Sequence, residues 1–301
     1  MSDLSGNQNS DDSVNQQDWS RVTSDSPTGN PFQKQALSIT HRFEYRSPGQ
    51  LVEAITMIID FDSTVQSFAY FAGITDRDFE AIETQLMIVQ LRSAVRFTFD
   101  NYLNAAIVRI MLGPEHGCIA GELYREIVRK IESIPGHLYS ICAVCATRFK
   151  VPGVGSKEGD QGLRPDTRVG RDAWPSLMIE VGYSERQNLL QLDPEWWLLH
   201  SQGRTRFVII AIISHDPFSL RIECWKMGTP LGEHDVAVRI PKCIQDFNID
   251  SAGQVSSPLG SPELLIPYDC IFDRSSLTSQ PIILTIPELS FFAKRMFALL
   301  Q

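Results

Sequence analysis

The chain has 301 residues, of which 43% are hydrophobic and 21% charged, with a formal net charge of -9. That is enough apolar material for one large folded domain or two small ones, and it excludes bulk electrostatic attraction to nucleic acid as a basis for binding. The acid excess is local: five Asp face one Arg in the first thirty residues, whereas eleven Lys and Arg face ten Asp and Glu from Arg148 to Lys226.

Residues 1–36 are rich in Ser, Asp, Asn and Gln and poor in apolar side chains. They are expected to form a disordered tail, with Trp19 an idle aromatic. The polar, acidic start has no signal-peptide pattern, and no apolar run reaches the roughly 18 residues of a membrane span. An intracellular protein with reduced thiols is therefore expected. Residues 37–94 read as a helical extension. Leu51, Ile55, Ile58 and Ile59 recur at helical spacing, and Thr75 can cap a second helix that presents Phe79, Ile82, Leu86 and Val89.

Residues 95–247 carry the core. Arg96–Phe99 and Ala105–Met111 are β-rich runs around an Asp/Asn turn, which predicts a hairpin. Gly113-Pro114 stops it, and a helix follows to about Ile134, with Leu123, Ile127 and Ile131 on one face. Leu138 to Phe149 reads as a strand. It contains Cys142 and Cys145, a CxxC without the second pair or histidines that zinc would want, so these are expected to be core thiols. A Gly-rich turn leads into Ser156-Lys157-Glu158-Gly159-Asp160, read as a loop.

Pro175 to Tyr183 is an apolar strand holding one carboxylate, Glu180. An unpaired buried charge is costly, so a lone acid there needs a partner. Asp160, twenty residues upstream, can supply the other half of a divalent-metal site. Arg164 or Arg168 can instead pair with Glu180. Ser184–Gln187 opens a helix as a capping box. Asp193-Pro194 restarts it and turns Trp196 and Trp197 inward. Thr205–Ile213 and Leu220–Lys226 read as paired strands, and Val236–Ile240 as another. Residues 248–262 read as a flexible loop, and residues 263–301 as a C-terminal segment that packs on the core, with a helix opening at Pro287-Glu288. The order predicts an α/β (α+β) domain around one mixed central sheet flanked by helices.

Helix, strands bearing an Asp and a Glu-x-x, then helix and strand resembles the restriction-endonuclease-like fold of the PD-(D/E)-x-K nuclease superfamily. The resemblance rests on the hairpin followed by Gly113-Pro-Glu-His116, on Ser156–Asp160 as the first-acid loop, and on Pro175–Glu185 as the second-acid strand. The stretch from about 95 to 226 is also similar to fungal proteins of this architecture. The resemblance implies a Mg²⁺- or Mn²⁺-dependent hydrolase acting on nucleic acid, with Asp160 and Glu180 as metal ligands and catalytic acids. Gly182 stands where the family has a Lys. Lys157 is the expected replacement and Arg186 the second choice. The literal Pro165-Asp166 makes Asp166 the fallback acid, and Glu122 an accessory ligand or a solvated helix residue. His116 reads as a helix-start cap or packing residue. If no cation reaches the acids, the same resemblance implies a catalytically inactive domain that binds protein or nucleic acid.

Overall fold

The computed structural model describes residues 30–61, 66–170, 172–229, 239–273 and 280–300. Trp19, the rest of the expected tail up to residue 29, and most of the strand expected over 236–240 lie outside them. The described part of the chain begins at Asn30. Asn30 caps α1 (Pro31–Leu37), and Pro31 sits in its first turn. The tail expectation therefore fails for 30–36, where Phe32 and Ala36 bury against Phe68, Ile107 and Leu189.

The segment expected to be a helical extension contributes strands as well. After β1 (His41–Glu44) come α2 (Pro48–Phe61), β2 (Gln66–Ala72) and α3 (Phe79–Ile88). The hairpin β3 (Val95–Asp100) and β4 (Ala105–Met111) follows, then the 18-residue α4 (Glu115–Glu132). β5 (Ile141–Cys145), β6 (Arg148–Val151), β7 (Gly155–Glu158), β8 (Gln161–Pro165) and β9 (Leu177–Tyr183) come next. Two short helices, α5 (Gln187–Leu190) and α6 (Asp193–His200), lead to β10 (Phe207–His215) and β11 (Phe218–Met227). Finally come β12 (Pro241–Asp250), β13 (Val255–Leu259), β14 (Leu264–Ile266), α7 (Tyr268–Ile271), β15 (Ile282–Leu284) and α8 (Ile286–Leu299).

These strands build two large sheets, not the one expected. The first has the order β1-β2-β4-β3-β7-β6, the second β13-β12-β11-β10-β9-β8-β5. The run read as one strand over 138–149 divides between them. Its first half, β5, pairs with β8, and its continuation, β6, pairs with β7. Ser156–Glu158, read as a loop, is strand β7, held between β3 and β6. Residues 248–262, read as a loop, contain the β12–β13 hairpin, whose turn uses Gly253 at φ +77°. The capping box expected at Ser184 gives one 3₁₀ turn and then α5, with no side-chain cap.

Alternation along the strands assigns the layers. On β4, Ala106, Val108 and Ile110 pack with Leu51, Ile55, Ile82 and Phe97 beneath α2 and α3. On β9, Leu177, Ile179, Val181 and Tyr183 pack with α4 and α8 through Leu123, Ile127 and Phe292. Each fully buried Ile, Leu or Phe stabilises by about 1.5–3 kcal/mol. α8 starts with a capping box of Thr285 and Glu288. The opposite residues, Ile107 and Arg109 on β4 and Met178 and Glu180 on β9, therefore turn into the space between the sheets. There α1, α5 and α6 complete the packing. No helix among the described residues is long and apolar enough to cross a membrane.

Candidate functional site

β8 and β9 run antiparallel with Gln161 opposite Ile179. One further step of that register sets Asp160 across from Glu180. The two acids thus meet, as the sequence leads one to expect. What lies between them is Arg109. Its Nη2 is 2.9 Å from Asp160 Oδ1 and 2.8 Å from Glu180 Oε2. Its Nη1 is 3.3 Å from Asp193 Oδ2 at the start of α6.

The other oxygen of each carboxylate has a hydrogen-bond donor. Val181 N–H donates to Asp160 Oδ2 at 2.9 Å, and Trp197 Nε1–H to Glu180 Oε1 at 2.7 Å. Lys157 Nζ donates to Asp193 Oδ1 at 2.9 Å and to Thr98 Oγ1 at 3.3 Å. Gln35 Nε2 reaches the same Asp193 oxygen at 3.2 Å, which ties α1 into the cluster. Arg96, directly across from Arg109 on β3, brings its Nε to 3.5 Å from Asp160 Oδ1. The first sheet therefore contributes Arg96, Arg109 and Lys157, and the second sheet with α6 contributes Asp160, Glu180 and Asp193. Formally three cations meet three acids.

Apart from the half-buried Arg96, all of this is buried, and Glu180 is fully inaccessible. Burial pushes the Glu180 carboxyl up to about 7, against the pull of Arg109 and Lys157. Burial also raises Asp160, but Arg109, His116, Arg96 and the Val181 N–H outweigh it and hold that carboxyl below its ordinary range. Burial lowers the Arg109 guanidinium, yet Asp160, Glu180 and Asp193 leave it more firmly protonated than a free arginine. His116, at the start of α4, is buried beside Asp160, and desolvation lowers its pKa. No side-chain cap bond forms at the start of α4, so His116 does not cap it.

Gly182 explains itself sterically. A Cβ there would come within 2.9 Å of Leu190 Cδ2 and 3.0 Å of Gln66 Oε1. Gln66 Oε1 accepts the Tyr183 N–H at 3.0 Å, so β2 closes the place of the motif Lys. Gly159 is similarly filled, with Met178 and Trp197 over it. Arg186 makes no ion pair to the cluster. Asp166 is exposed at the other end of β8. Glu122 pairs with Arg125 and Arg295 on the outer face of α4. Arg168 binds Asp273 and Arg164 the Gly170 carbonyl, so neither serves Glu180. Trp196 and Trp197 are core, as expected, and Trp197 adds a donor to Glu180. Cys142 and Cys145 are exposed, not core, because β5 is the edge of its sheet.

The arrangement does not fit the Mg²⁺ or Mn²⁺ expected between Asp160 and Glu180. The bridging position is filled by a guanidinium that hydrogen-bonds Glu180 Oε2 and forms an ion pair with Asp160 Oδ1, and the other oxygens already accept from Val181 and Trp197. Among the described residues no group of three or more His, Cys, Asp or Glu is arranged to hold a metal ion. Arg109 was open to discovery in the sequence by the signal that revealed Glu180: a lone charge within an apolar strand.

No protein-family model matches the chain, and no curated protein does. Among solved structures it is similar to a candidate nuclease belonging to DUF820 from Anabaena variabilis ATCC 29413. The identity is 15% and the TM-score 0.33, over 61% of this chain and 84% of that one.

Two outcomes follow for the cluster. Arg109→Met strands buried acids and is expected to destabilise by about 3–5 kcal/mol, with much of the loss restored when Asp160→Asn and Glu180→Gln are added; urea unfolding measures both. The second concerns pH. Because Glu180 sits at about 7 in the folded protein against 4.5 as its ordinary value, the folded state holds more protons in that window. Its contribution to stability therefore falls as pH rises from 4.5 to 7. Asp160, shifted the other way, acts only at lower pH. The unfolding free energy of wild type minus that of Glu180→Gln should decline across this window and level off above it; parallel profiles would contradict the assignment.

Proposed function

We propose that this chain is a restriction-endonuclease-like domain that does not cleave, and that it works as a non-catalytic interaction module with a protein partner. The fold part of this reading is supported by the order α4, β5, β8, β9, α5 and α6, β10. An Asp precedes β8, a Glu lies within β9, and β9 and β10 run parallel across the helical crossover. The observation that carries the non-catalytic part is Arg109 Nη2 at 2.9 and 2.8 Å from the two acids. Mg²⁺ at such a pair supplies an activated water and neutralises phosphoryl charge. Here the acids are committed to a fixed internal cation, and the place of the water-orienting Lys is closed by Gln66 and Leu190. Glu180 is also fully buried, against Arg109 of β4 and Trp197 of α6, so it offers no surface to a scissile phosphate.

A protein partner is favoured over nucleic acid by the net charge of -9 and by the pairing of Arg96, Arg109 and Lys157 with buried acids. Lys157, expected to assist a water, spends its charge on Asp193 instead.

The test is incubation with single- and double-stranded DNA and RNA in Mg²⁺ or Mn²⁺, with Glu180→Gln as control. No cleavage above the control is the expected result. Metal-dependent cleavage by the wild type that Glu180→Gln abolishes would overturn the reading.

A further inference from the structure

The two large sheets have four edges: β1, β6, β13 and β5. An edge strand offers a row of free N–H and C=O groups, and proteins guard such rows with charge, proline, bulges or shortness. Three of these edges are guarded. β1 has four residues, including His41, Arg42 and Glu44. β6 carries Arg148 and Lys150. β13 contains Pro258, and its pairing with β12 shifts register between Asp246 and Asn248.

β5, five residues long, has no charge, proline or bulge to guard it. It reads Ile-Cys-Ala-Val-Cys, without a charge, a proline or a glycine. Its pairing with β8 runs unbroken from Ile141 to Cys145. Among the described strands none pairs with its other side. Cys142, Ala143 and Cys145 are exposed, and the residues just before the strand, Leu138 and Tyr139, are 62% and 78% exposed. Large apolar side chains left in water beside a free edge mark an interaction surface.

We infer that β5 is the pairing edge of a homodimer, in which a second copy of this chain adds its own β5 antiparallel across a twofold axis. The occupant follows from the chemistry of the strand. A free edge is satisfied by another strand, and a twofold axis sets the strand against itself, so like charges would repel. β5 is uncharged throughout, so a second copy meets no like charge there, whereas β6 would set Arg148 against Lys150. Centred on Ala143, the pairing sets Cys142 opposite Val144 and Ile141 opposite Cys145 of the second copy. Two seven-stranded sheets then become one continuous sheet. The inference does not depend on the state of the acid cluster, which lies on other strands.

The test is sedimentation equilibrium of the full chain under reducing conditions, between about 1 and 100 µM. The wild type is expected to reach twice the 33.9 kDa chain mass. Ala143→Lys, an exposed position, sets two ammonium groups together at the dyad and should weaken association by tenfold or more. Far-UV circular dichroism confirms that this variant is folded. Hydrogen exchange gives an independent readout: amides of 141–145 should gain protection as wild-type concentration rises. A monomer throughout the range overturns the proposal. So does a dimer that Ala143→Lys leaves unchanged, or concentration-independent exchange at β5. Pairing of β5 only with a strand from a different protein would overturn it equally.

Discussion

The guanidinium of Arg109 holds the two halves of this protein to each other. It projects from the middle of one sheet to Asp160 just before β8 and to Glu180 on β9, with Asp193 at α6 as a third acid. A buried charge needs several partners to be tolerated at all, and neither half could keep its own charges without the other. The sheets are bound by obligation as much as by attraction. Replacing such a cluster with apolar side chains is often neutral for stability, whereas removing one member is not. What the cluster supplies is a fixed geometry between the layers.

Much of the surrounding structure follows from that geometry. Because β4 brings Arg109 inward, its alternate residues Ala106, Val108 and Ile110 face α2 and α3 and form the outer core. Because β9 brings Glu180 inward, Ile179 and Val181 face α4. The close approach of the sheets also accounts for Gly182, where Gln66 and Leu190 leave no space for a side chain. Seen from the chemistry of phosphate hydrolysis that glycine is a missing lysine. Seen from the packing it is the residue that lets β2 lie against β9.

The sequence made some of this legible. Glu180 stood out as an acid among Leu, Met, Ile and Val, and its meeting with Asp160 followed from neighbouring strands. The apolar faces of α4 and α8 were readable from period alone. Arg109 carried the same signal as Glu180 but sat in a run read only for its β propensity. The two-sheet division was hidden for a physical reason: which strand a segment joins depends on partners far away in the chain. β5 and β6 look like one strand until β8 and β7 claim them separately. Lys157 looked like part of a Gly-rich loop until β3 paired with it. Exposure of Cys142 and Cys145 likewise depends on β5 being an edge, which its own apolar composition conceals.

The central claim is that an internal cation, not a metal, joins Asp160 to Glu180. Anomalous diffraction from crystals soaked in Mn²⁺ tests it most directly. The account predicts guanidinium density within hydrogen-bond distance of both carboxylates and no anomalous peak between them. A manganese peak bridging Asp160 and Glu180, with Arg109 displaced, would contradict it.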